Sequence, residues 1–83
     1  MFLHLGGSTV VLEKTIIGVF DLDTATVTAD GKEFLKNAEK NLSVTTVGEE
    51  LPKSFVVTCE NSLTRVYLTE VSTGTLKKRR EQI

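Results

Sequence analysis

The sequence predicts a small α+β domain, a mostly antiparallel sheet of about six strands with one amphipathic helix on one face. Three observations predict it. Short runs rich in β-branched residues recur between turn clusters, near 2–5, 8–12, 15–22, 42–47, 54–59 and 64–68. Only one stretch, 31–41, carries helical periodicity. Strands lie on both sides of that helix without regular strand–helix alternation, which favours α+β over α/β. With 83 residues the chain has room for one compact domain. A domain of that size buries roughly 60–65% of its unfolded surface, so the core is expected to be thin.

Phe2-Leu3-His4-Leu5 stops at Gly6-Gly7, and Ser8-Thr9-Val10-Val11-Leu12 follows, which reads as a hairpin turning at the glycines. Thr15 to Phe20 is the most strand-like segment, closed by Asp21-Leu22-Asp23, and Gly18 within it marks a bulge or a close approach. Residues 24–28 are small and polar and read as a connecting loop. Asp30 and Glu33 have the spacing of a reciprocal helix cap. Phe34, Leu35 and Ala38 then recur on one helical face, with Leu42 beyond, and Asn41 suits the helix end. Residues 42–47 alternate apolar and polar, and Pro52 breaks the loop before the strong strand 54–59. Glu60-Asn61-Ser62 turns the chain into 64–68. Phe20, Val56 and Leu68 are expected in the core, with Phe55 and Val57 on the other face. Residues 69–76 weaken into a polar segment, so 1–76 reads as the domain and 77–83 as a short, frayed basic tail.

Composition excludes several classes. The chain is 40% hydrophobic and 25% charged, with one cysteine and one histidine. One cysteine cannot form an internal disulfide, which fits a reducing cytoplasm rather than a secreted disulfide scaffold. No apolar run approaches the ~20 residues of a membrane span, and the N-terminus does not read as a signal peptide. The net charge of −1 hides an asymmetry: 77–83 carries +3 and 1–76 carries −4.

The side chains that could do chemistry are few. His4 with a single cysteine cannot make a structural zinc site, so it reads as a strand histidine against the core or a neighbouring subunit. Cys59 ends an apolar strand and reads as a small buried hydrophobe, with no base in the pattern to activate it. Asp21 and Asp23 could share Mg²⁺ or a proton, but strand-ending aspartates more often satisfy backbone amides. Gly6-Gly7-Ser8 leads into a strand rather than a helix, so a turn is favoured over a phosphate loop. No catalytic motif is present, so the sequence points away from an enzyme and implies no cofactor, metal or small-molecule substrate. Lys77-Lys78-Arg79-Arg80 is the one local feature with an evident partner, phosphate, against the plainer reading of a solvated tail.

Several ordered blocks resemble the bacterial RemA/RemB family of extracellular-matrix (biofilm) regulators. They are His4-Leu5-Gly6-Gly7, Val10-Val11, Ile16 to Leu22, Glu33-Phe34-Leu35, Lys53 to Thr58, Val66-Tyr67 and Leu76 to Arg79, spanning nearly the whole chain and closer to RemB. The resemblance implies a small α+β subunit that assembles into a homo-oligomer, a ring in the RemA members, which bind DNA through basic residues and activate transcription. Lys14 matches the basic residue that RemA-type chains carry before the Ile-Ile strand. Where those chains have adjacent arginines before the Val-Val strand, this one has Glu49-Glu50 and a single base, Lys53. Two readings follow. One is a cytoplasmic DNA-associated regulator using Lys14, Lys53, Arg65, Lys77, Lys78, Arg79 and Arg80. The other is a self-assembling module that does not touch nucleic acid.

Overall fold

A computed structural model describes residues 1–41 and 43–81. The chain is α+β and mostly antiparallel, as predicted, but its six strands divide into two sheets. Strands β1 (Phe2–Gly6) and β2 (Thr9–Leu12) form a hairpin. A 3₁₀ turn, Glu13–Thr15, leads into β3 (Ile16–Asp21). Two helices follow, α1 (Leu22–Val27) and α2 (Ala29–Asn41), then β4 (Ser43–Val47), β5 (Ser54–Glu60), β6 (Leu63–Thr69) and helix α3 (Thr73–Glu81). The second sheet has the order β3-β5-β6-β4, and only the β4–β6 pair is parallel. Leu42, expected at the helical spacing of α2 and as the first residue of the strand 42–47, and 82–83 of the basic segment lie outside the described residues.

Both faces of this sheet are covered, which explains why Ser54 to Thr58 are buried without interruption. On one face Phe55, Val57 and Val66 pack with Ala38 and, at the margins, Phe34 and Leu35 of α2. On the other, Val56 meets Leu3, Leu5 and Val11 of the hairpin and Leu76 of α3. The alternation of β1, with Leu3 and Leu5 inward and Phe2 and His4 outward, is the period of two written in its sequence. Thr69 ties the two sheets: its buried hydroxyl donates to the Leu5 carbonyl at 2.5 Å and accepts from the Val71 amide at 3.1 Å.

Four local expectations are corrected. Residues 24–28 are not simply a loop, because Asp21 caps a six-residue helix there, its carboxylate accepting from the Thr24 amide at 3.2 Å. The cap of α2 is Thr28, whose hydroxyl accepts from the Gly31 amide at 3.0 Å, rather than the Asp30–Glu33 pair. Gly31 has no side chain because α1 crosses there, and a Cβ would run into the Ala25 carbonyl oxygen. Val56 is buried as expected, but Leu68 is half-buried and Phe20 is 45% exposed. Phe20 lies on an outer strand, one side of its ring stacked on Phe55 with centroids 5.1 Å apart. Its ring also lies over Gly18, where a Cβ would come within 2.5 Å of Cζ, and the register shifts beside that glycine.

The fourth correction concerns the C-terminus. The basic segment is not a frayed tail: it is helix α3, anchored by Leu76, which is fully buried. Ser72 starts it, accepting from the Thr75 amide at 3.3 Å. No helix among the described residues is long and apolar enough to cross a membrane.

Candidate nucleic-acid interface

Helix α3 divides the basic run between two faces. Thr73, Leu76 and Arg80 share the face turned to the core, while Lys77 and Lys78 point to solvent. Cations in the last turn of a helix also interact favourably with its dipole. The two arginines are held against the body. Arg79 Nη1 donates to the His4 carbonyl at 2.8 Å, and Arg80 Nε lies 3.6 Å from Glu13 Oε1.

That ion pair brings α3 to the 3₁₀ turn. Lys14 lines a shallow recess there with Arg80, Glu13, Met1 and Ile16. Arg65 sits at the same end of the sheet, opposite Thr58, in a groove that includes Leu12 and Thr15 on either side of Glu13-Lys14. Glu60 shares that groove. Lys53 is elsewhere. It precedes Ser54, the opposite end of β5 from Thr58, roughly 17 Å away along an extended strand. Its backbone is structural there, the amide donating to the Thr69 carbonyl at 2.8 Å and the carbonyl accepting from Leu22 at 2.9 Å.

Of the cations named from the sequence, Lys14 and Arg80 therefore share one recess, Lys77, Lys78 and Arg79 lie on the same helix as Arg80, Arg65 lies at the same end of the sheet, and Lys53 stands apart. Nothing in the chain's pattern marks Glu13 as the partner of Arg80, because the two are far apart in sequence and meet through the packing of α3 against the hairpin. The acidic neighbours of Lys53 are closer kin to it in space. Asp21 pairs with Ser54 in the ladder, and Glu70 accepts from the Glu50 amide at 3.0 Å in the loop before Lys53.

The remaining candidates are structural. His4 is exposed, its Nε2 2.7 Å from the Gly7 carbonyl within the hairpin, rather than set against the core. Cys59 is exposed rather than buried, because β5 outruns the helix cover at its C-terminal end. Asp21 caps α1, the backbone-satisfying role. Gly6 and Gly7, with φ of 116° and 54°, turn the hairpin.

No family model matches the chain. Compared with curated proteins, it is 38% identical over 79 residues to extracellular matrix regulatory protein B of Bacillus subtilis (strain 168), covering 95% of this chain and 89% of that protein. Identity at this level over almost the full length of both chains takes in the hairpin, the four-stranded sheet and the start of α3 together, not one motif. The chain belongs to the extracellular matrix regulatory protein B (RemB) family.

Proposed function

We propose that this protein is a bacterial, cytoplasmic regulator of extracellular-matrix genes that works by binding rather than catalysis, as a homo-oligomer whose basic ends contact DNA phosphates. The observation that supports this is the meeting of Lys14 with Arg80 in one recess, beside the solvent-facing Lys77 and Lys78 of the same helix. Phosphate contacts of this kind fix position more than they read sequence. A single such patch on a chain of net charge −1 binds weakly, and repeating it around an oligomer raises the effective concentration of each further contact. Lys53 contributes little in this reading, since carboxylates surround its end of the sheet and repel phosphate.

A second reading, self-assembly without nucleic acid, is favoured by the internal use of two cations: Arg80 faces Glu13 and Arg79 is bonded to His4. One titration separates the two. Binding to a DNA duplex is measured from low to moderate salt, with mass in solution recorded in parallel. A steep loss of affinity with salt supports the phosphate reading. Absence of binding by the assembled protein at low salt overturns it and leaves the assembly module.

A further inference from the structure

Among the described residues β3 pairs only with β5, so its outer edge has unpaired backbone groups. Outer strands are commonly protected by a proline, a charge or a cover. Ile16-Ile17-Gly18-Val19-Phe20 has neither proline nor charge. Instead Ile17, 63% exposed, and Phe20 border an open apolar groove of about 560 Å³, backed by Phe34, Phe55 and Val57. The strand is also electrically polar. Lys14 lies just before it, and Asp21 and Asp23, both exposed, lie at its far end.

We propose that this edge is the contact surface for a second copy of the chain, with β3 antiparallel to β3 of the partner about a two-fold axis. The unpaired backbone continues the sheet across the contact, and Ile17 and Phe20 of each copy cover the groove of the other. Charge complementarity selects the direction. Antiparallel pairing sets the Lys14 end of one strand beside the Asp21–Asp23 end of the other, twice over, whereas parallel pairing sets like beside like. A two-fold contact is self-complementary and makes pairs, so a closed ring would need a second, different contact. The proposal rests on the assembly part of the function proposed above, and because it shares Lys14 with the proposed DNA contacts its test is made without DNA.

The test is the mass of the full chain without DNA, by sedimentation across micromolar concentrations, with circular dichroism to confirm folding. Phe20→Glu is expected to weaken association on the order of tenfold or more, since it buries an unpaired charge in the contact. Ile17→Lys, at a more exposed position, is the second variant should the first fail to fold. Lys14→Glu and Asp23→Lys should each weaken association by setting like charges together. An equimolar mixture of the two should recover it, because one contact then holds the two introduced charges and the other the two native ones. An unchanged mass in every variant overturns the proposal while leaving assembly through another surface, and the groove then belongs to some other partner. Loss in the single variants without recovery in the mixture overturns the antiparallel pairing. A wild-type monomer at all concentrations removes this proposal and the assembly reading together.

Discussion

The two ends of the four-stranded sheet carry opposite charge characters although the chain as a whole is nearly neutral. At one end Lys14 shares a recess with Arg80 of α3, and Arg65 lines the neighbouring groove. At the other, Asp21, Asp23, Glu49, Glu50 and Glu70 lie at the same end of the sheet as Lys53. The basic end is assembled from segments distant in the chain and depends on tertiary packing. The acidic end is likewise gathered from distant segments, the turn after β3, the loop before β5 and Glu70 just after β6. A net charge therefore says little about a small protein's partners when the fold sorts its charges along one axis.

The strongest way to break this contrast is to detach α3. Leu76 is its one fully buried anchor, set among Leu3, Leu5, Val11 and Val56. Leu76→Ala should cost about 2–5 kcal/mol of stability, read by urea unfolding, and should weaken DNA binding even under conditions where the protein stays folded. Removing residues 77–83 should destabilise as well, through loss of the Arg79–His4 and Arg80–Glu13 contacts. A truncated chain as stable as the full one would mean that these contacts contribute nothing to holding the helix.

Next in size is the outer face of α3 compared with Lys53. The double variant Lys77→Ala/Lys78→Ala should lower affinity for any DNA sequence alike and reduce the salt slope by about 1.8, two phosphate contacts at ~0.9 each. Lys53→Ala, at the acidic end, should leave both unchanged. Equal effects of the two variants would erase the distinction between the ends.

How much of this was legible in the sequence depends on how local each feature is. The glycine turn of the first hairpin, the β5 run and the hydrophobic face of α2 are written in consecutive residues and were readable. Helix α3 was not, because it buries a single leucine among polar and basic residues, and one apolar position has no period. Helix α1 was hidden by its shortness and by threonines and a valine that favour strands; Asp21 and packing against α2 override that preference. Phe20 was misjudged because a strand's place at the sheet edge is a property of topology, not of its own residues. The cations were all visible, and only their grouping was not, since Lys14 and Arg80 meet through contacts between distant segments.

A carboxylate at each end sharpens the contrast at smaller amplitude. At the acidic end Asp21 caps α1, so Asp21→Ala should cost about 1 kcal/mol in thermal or urea unfolding. Asp21→Asn retains an oxygen acceptor for the Thr24 amide and should lose much less. A similar loss in both variants would assign the effect to charge rather than to the cap.

The smallest effect is expected from Glu13, the carboxylate within the basic end. Its pair with Arg80 is long, 3.6 Å, and both side chains are partly exposed, 26% and 38%, so its contribution to stability is small. Exposed pairs of this kind are typically worth about 0.2–1 kcal/mol, and Glu13→Gln should fall at or below the low end of that range. DNA binding should respond in the opposite direction. Under the proposed phosphate reading Glu13, which lines the recess with Arg80 and Lys14, competes with phosphate there, and removing its charge frees Arg80 and deletes a repulsion. Affinity at low salt should therefore rise a few-fold while stability barely moves, and the salt slope should steepen as one more cation becomes available to phosphate. Should affinity instead fall in parallel with stability, the ion pair would be holding the arginine in its binding position rather than competing for it. An unchanged affinity would place the phosphate contacts on Lys77 and Lys78 alone, at the outer face of α3.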